Sequence, residues 1–327
     1  MIPQRPNPKF RGGPAALAGI ALAVISCLAG CRARETLVAV IPRTCGTWLW
    51  EAEHTGVARE APSRRINVYW NGPMREDDVQ AQIEILSNAV QRNVAAVIIA
   101  PIQDLPLRTP LQHAIHAGIP VVVVATDVGL PEDRKLAYVL NDEHAGGQLA
   151  ARRIGRMLHG AGTIAILGID KRLESMAERA RSLESTLADE FPGIHVMFRS
   201  LAVPTVSQEQ QVAEQMLANG HPDAIVTLSG QSTRGALFAL IEFNLNGKLP
   251  LVGFDQNLLA PIRTGELDSV IIQNTYRMGR VAMQTVFEQI AGNPIQSKIM
   301  VEPELVTRET IDSPGVRETL DLSWWLP

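Results

Sequence analysis

Residues 95–124 read AAVIIAPIQDLPLRTPLQHAIHAGIPVVVV. The runs Ala95–Ala100 and Val121–Val124 are apolar throughout rather than at alternate positions, as strands covered on both faces should be. Between them the pattern Ala117-Gly-Ile-Pro-Val121 closes a helix. Gly118 supplies the left-handed cap, Pro120 cannot continue the helix, and a strand starts at once. Strand, helix, strand is the unit of a parallel sheet, and it repeats in both directions. Upstream lie strand candidates Leu37–Ile41 and Ile66–Trp70; downstream lies Ala137–Leu140. A second set follows at Thr163–Leu167, His195–Leu201, Ala224–Leu228, Leu251–Gly253 and Ser269–Gln273. Helical stripes fall between the strands: Val79, Ile83, Leu86 and Val90; then Leu173, Met176, Ala180, Leu183 and Leu187; then Leu237, Leu240, Ile241 and Asn244. Gly247 followed by Leu249-Pro250-Leu251-Val252 repeats the stop-and-start punctuation. Two sets of strands imply two sheets, hence an α/β fold of two doubly wound parallel-sheet lobes.

The chain has 327 residues, more than one hydrophobic core usually serves, which also predicts two lobes. Its start is of a different kind. Arg5, Lys9 and Arg11 precede an apolar run from Ala15 to Leu28, and Leu28-Ala29-Gly30-Cys31 follows. Positive flank, short apolar run and small-residue site are the order of a secretory signal. The run is shorter than the roughly 20 residues of a spanning helix. Its ending resembles the bacterial lipobox, in which the cysteine is acylated and becomes the mature N-terminus. Residues 1–30 are therefore expected to leave, with Cys31 as the lipid anchor. Their loss removes three positive charges and no acid, taking the formal charge from −4 to −7. An acidic body argues against nucleic acid as a partner. With Cys27 removed and Cys31 acylated, Cys45 has no disulfide partner.

Over Leu37 to Glu309 the chain resembles the sugar-type periplasmic solute-binding proteins, the ribose-binding-like branch that shares its fold with lactose-repressor effector domains. The markers are Ala39-Val40-Ile41-Pro42, Trp50, Ala117-Gly-Ile-Pro-Val121, Asn141-Asp142-Glu143-His144-Ala145-Gly146-Gly147, Arg179, Val252-Gly253-Phe254-Asp255, and Gln273 ahead of Tyr276-Arg277-Met278-Gly279. The resemblance implies a type I periplasmic binding protein fold with a hinge of three crossings, near Asn141, Gln273–Asn274 and Glu302–Glu304. It places residues 35–141 plus 275–302 in an amino-terminal lobe and 142–273 plus 303–327 in a carboxy-terminal lobe. Ligand is expected in the cleft at the C-terminal strand edges, with closure by hinge motion. No helix-turn-helix precedes the first strand, which disfavours a regulator.

The implied ligand set is Asp255 with Phe254 beside it, Arg179, Trp50 as a stacking platform, and a polar ring of Arg43, Thr47 and Gln273. Trp70, at a strand's end before a turn, is a second candidate platform, and core or rim packing is the alternative for either tryptophan. A carboxylate at Asp255 can accept two sugar hydroxyls; it could instead cap a helix beginning near Gln256. Ser175 and Glu178 fit a capping box that would put Arg179 in the first helical turn. Three positions depart from the ribose-type pattern. Ala100 stands for Asn, Ala125 for an acid (with Thr126-Asp127 next), and Ser229 for Asn. Asp127 could rotate in as a substitute, and a different ligand, even an autoinducer-like one, stays open.

No GxGxxG after a strand, GxxxxGK[ST], GxSxG or HExxH is present, so no catalytic residue, cofactor or metal is expected. Gly146-Gly147 is read as a close-packing site, and His113 and His116 lack a third metal ligand. The expected function is a lipid-anchored extracytoplasmic protein that captures a saccharide for an importer's permease and ATPase. The alternative is a sensor lipoprotein that presents the ligand to a membrane receptor. A hydrolase on the same frame is the least favoured reading.

Overall fold

The computed structural model describes residues 36–171, 174–203 and 205–323. The leader, Cys31, Leu173 and the Trp324-Trp325 pair lie outside them. None of the described helices is long and apolar enough to cross a membrane.

The strands in chain order are β1 (Thr36–Ile41), β2 (Ile66–Trp70), β3 (Ala96–Ile99), β4 (Val121–Val124), β5 (Leu136–Asn141), β6 (Ala161–Ile169), β7 (Gly193–Leu201), β8 (Ala224–Thr227), β9 (Leu251–Gly253), β10 (Ser269–Ile272), β11 (Lys298–Val301) and β12 (Glu304–Thr307). The helices are α1 (Trp48–Glu60), α2 (Val79–Gln91), α3 (Asp104–His116), α4 (Glu143–Met157), α5 (Glu174–Glu190), α6 (Val206–Asn219), α7 (Gly230–Glu242), α8 (Leu259–Thr264), α9 (Thr275–Ala291) and α10 (Pro314–Thr319). All ten expected strands are present. β3, β4, β8 and β10 are buried along their whole length, which is why their sequences show no alternation.

Two sheets form, in the orders β11-β5-β4-β3-β1-β2 and β12-β10-β9-β8-β6-β7. In each, the first strand of the set is flanked by the second on one side and the third on the other. That places a topological switch point between β1 and β3, and another between β6 and β8. The expectation of parallel sheets needs one correction at an edge: β12 runs antiparallel to β10. The chain passes from the first sheet to the second after β5, returns after β10, and crosses again between β11 and β12.

Each sheet is sandwiched between helices. On one face of the first, Val38, Val40, Ile98 and Val122 pack with Trp50 and with Met278, Ala282 and Val286 of α9. On the other, Ile41, Ile99 and Val123 pack with Leu86, Leu107 and Leu111. α1 and α9 cross closely, since a Cβ on Gly56 would stand 2.0 Å from the Tyr276 carbonyl oxygen and one on Gly279 2.2 Å from that of Glu53. Gly118 has φ +90, as its capping role requires. Gly147 does pack closely: a Cβ there would lie 2.4 Å from the Arg179 carbonyl.

Two expected helical faces shift. Ile241 is 45% exposed and Asn244 lies beyond the end of α7, because the inward face runs through Thr233, Ala236, Leu237 and Leu240. Gln82, between the apolar positions of α2, is fully buried. α10 buries Val316 in the second sheet's core, while Glu318 reaches Arg280 of α9 at 3.5 Å and Asp321 reaches Arg59 of α1 at 3.6 Å.

Candidate functional site

β1 ends at Ile41, and the loop after it carries Arg43 across the switch point. Arg43 Nε donates to the Pro101 carbonyl beyond β3 at 2.9 Å, and Nη2 donates to the Thr126 hydroxyl beyond β4. The guanidinium lies over the Trp50 ring, 5.6 Å from its centroid. This loop is held from beneath by Gln82, whose Nε2 donates to the carbonyls of Pro42 (3.2 Å) and Ala100 (2.8 Å) while its Oε1 accepts from the Ile102 N–H at 2.9 Å. It is also laced to the loop after β2, where the Pro73 carbonyl accepts from the Thr44 hydroxyl at 3.0 Å and the Cys45 N–H at 3.2 Å. Such cross-links fix the edge before any ligand arrives.

Within electrostatic reach of Arg43 is Glu53, 1% exposed, with neither carboxyl oxygen hydrogen-bonded among the described residues. Burial pushes its pKa up to about 8, against the pull of Arg43. Burial likewise lowers the Arg43 pKa, opposed by the charges of Glu76 and Glu53.

The second sheet repeats the arrangement at its own switch point. Arg179, 3% exposed, donates Nη1 to the Leu228 carbonyl beyond β8 at 2.5 Å and Nε to Glu143 Oε2 at 2.6 Å. Its guanidinium lies 4.0 Å from the Phe254 ring centroid. Glu143 Oε1 accepts from Asn141 Nδ2 at 2.9 Å and Gln273 Nε2 at 3.4 Å, so residues at two crossings join one cluster. Asn141 Oδ1 is buried without a partner among the described residues. Beyond β9, Asp255 Oδ2 accepts from Arg234 Nε at 2.5 Å and Oδ1 from the Asn257 N–H at 2.9 Å.

Several expected residues thus fall together: Arg43, Thr126 and Thr47 on one strand edge, and Arg179, Phe254, Asp255 and Gln273 on the other. Others sit in surroundings that the sequence did not indicate. Trp50 is 1% exposed, in the core under Arg43, with its indole N–H donated to Glu76 at 3.2 Å, so it offers no open face for a sugar ring. Trp70 is stacked on His54 at 4.1 Å between centroids, which covers one of its faces. Asp127 does not turn in for the acid missing at Ala125. It is exposed, accepting from the Gly129 N–H at 2.8 Å and Lys298 at 3.0 Å. Ser229 caps α7, its hydroxyl accepting from the Ser232 N–H at 3.1 Å in a capping box.

Asp255 caps a turn rather than a helix, since α8 begins only at Leu259. Ser175 is no N-cap either, because α5 already includes Glu174, and Arg179 falls past the first turn. Sequence reasoning missed the partners Glu143 and Arg234, the brace Gln82 and the buried Glu53. It also missed Trp48, 52% exposed at the start of α1 beside the Arg43 loop. Glu143 stands in the quoted Asn141–Gly147 marker, and that was the available signal.

The periplasmic binding protein domain family matches residues 38–294. The chain is 26% identical over 257 residues to the ribose import binding protein of Bacillus subtilis, covering 78% of this chain and 81% of that protein. It is 22% identical over 308 residues to the xylitol-binding protein of Mycolicibacterium smegmatis, covering 92% and 86%. In fold it is similar to AraP, an arabinose-binding protein from Geobacillus stearothermophilus, with a TM-score of 0.80 at 20% identity over 85% of this chain and 99% of that one. The two switch-point sheets, the three crossings and this match agree: the chain belongs to the periplasmic binding protein family, substrate-binding proteins of transport rather than enzymes, and has the type I fold.

Proposed function

We propose that the chain is a lipid-anchored, extracytoplasmic solute-binding protein that captures a sugar and delivers it to the permease and ATPase of an importer. The observation that carries the reading is the pair of arginine-centred clusters, Arg43 on one strand edge and Arg179–Glu143 on the other, each at its sheet's switch point. Both present charged hydrogen-bonding groups on a prearranged frame, which suits a ligand made of hydroxyls. The ribose, xylitol and arabinose in the names of the similar proteins support a sugar or polyol. In this reading residues 35–141 plus 275–302 and 142–273 plus 303–327 are the lobes that close on the ligand about the three crossings. The leader ending at Cys31 supplies the anchor.

A thermal-shift panel of sugars and polyols tests capture, because a ligand at 100 times its Kd stabilises by about 2.7 kcal/mol. A panel without any shift refutes it. Intact-mass measurement of the mature chain tests the anchor: acyl mass on Cys31, lost in Cys31→Ser, is the expected result, and an unacylated mature terminus refutes it.

A further inference from the structure

Three arginines stand at the strand edges, and they differ in what balances them. Arg179 is paired with Glu143 and Arg234 with Asp255. Arg43 is not so balanced: its hydrogen bonds go to a carbonyl and a hydroxyl, both neutral. Its Nη1 makes no hydrogen bond among the described residues. The carboxyl of Glu53, within electrostatic reach of Arg43, holds its proton up to about pH 8. Glu76 attracts Arg43 through space, but it is exposed to water and engaged with the Trp50 indole N–H. On the same loop the Thr47 hydroxyl is buried without a partner among the described residues.

A partly desolvated cation with only neutral acceptors is costly unless an anion joins it. A hydroxyl from a neutral sugar would satisfy Nη1 but leave the charge; a carboxylate satisfies both, and the planar fork of arginine matches it. We propose that the captured solute is an acidic sugar, a polyhydroxylated carboxylate whose anionic group pairs with Arg43 while its hydroxyls meet the Arg179–Glu143 and Arg234–Asp255 clusters. The inference rests on the sugar-capture reading and goes further by naming the class.

The test uses matched pairs that differ only at the charged group: glucuronate and glucose, galacturonate and galactose, gluconate and glucitol. Binding of each is measured by calorimetry to the mature chain, to Arg43→Gln and to Arg43→Lys, with circular dichroism as the check on folding. The expected result is a preference of at least tenfold for the acid member of one pair, erased in Arg43→Gln and partly kept in Arg43→Lys. Should Arg43→Gln fail to fold, the wild-type preference and the Arg43→Lys titration still decide. Equal or tighter binding of the neutral member overturns the acidic ligand and leaves sugar capture standing. Equal weakening of both members in Arg43→Gln also overturns it. A protein that binds no member of any pair overturns this inference and counts against capture itself.

Discussion

Glu53→Gln is a small change with a large expected pH signature. In the unfolded chain this carboxyl ionises near its ordinary 4.5; in the folded protein burial holds the proton to about 8. Between those values the native state binds a proton that the unfolded state has released, so the group's contribution to stability falls as pH rises through that window. At about 1.36 kcal/mol per pH unit, the interval from 4.5 to about 8 corresponds to a loss approaching about 5 kcal/mol, an upper bound. Neither carboxyl oxygen has a partner among the described residues, so an amide of the same shape forfeits no hydrogen bond to them. Urea unfolding followed by circular dichroism at about pH 5 and pH 8.5 checks this, since every other titrating group is common to both proteins. Near pH 5 the two should differ little; near pH 8.5 the variant should be the more stable by several kcal/mol. A wild-type-to-variant difference that is the same at both pH values would refute the buried neutral acid.

Gln82→Leu strands the Pro42 and Ala100 carbonyls and the Ile102 N–H. A loss of about 2–4 kcal/mol in urea unfolding is expected, and an unchanged midpoint would show the brace to be dispensable. Gly56→Ala drives a methyl to within 2.0 Å of the Tyr276 carbonyl oxygen, so α1 and α9 must part. A cost of about 1–3 kcal/mol should appear as a lowered melting temperature, whereas an unaltered one would contradict the close crossing. Arg179→Ala leaves Glu143 buried without its cation, at about 3–5 kcal/mol. The double change with Glu143→Gln should recover part of that stability, and additive losses would show that the two side chains are not coupled.

The strands were legible because Val97–Ile99 and Val121–Val124 are apolar throughout and bounded by Gly, Pro and Asn. β11 and β12 were not, because Lys298–Val301 and Glu304–Thr307 are short edge strands that present only one or two buried positions each. α1 lacked an apolar stripe and holds Gly56 in its middle, which reads as a breaker until Tyr276 is seen against it. At the site, Arg43, Arg179 and Asp255 could be named from order along the chain, but their partners could not. Glu143 stands 36 residues from Arg179, and Arg234 stands 21 from Asp255. A pairing at such separation is set by sheet order, which no local pattern encodes. Trp50 misled for the opposite reason: an aromatic after a strand reads the same whether it points out to solvent or into the core.

Of the two helices that cover one face of the first sheet, α1 follows β1 directly, but α9 comes from residues 275–291, after the whole of the second sheet's first five strands. Synthesis delivers β1 to β5 long before α9. Val38, Val40, Ile98 and Val122 can meet Trp50 and Val57 of α1 early, but the rest of that face must wait until Met278, Ala282 and Val286 arrive. The second set of strands has no such delay, since most of its covering helices lie within it. Maturation should accordingly run from the middle of the chain outward, with the first-made half finished last. Such late, long-range closure is slow and leaves an adhesive surface exposed in the interval. A circular permutant opened at the crossing before α9 would bring that helix ahead of β1 in the order of synthesis, and would shorten the wait.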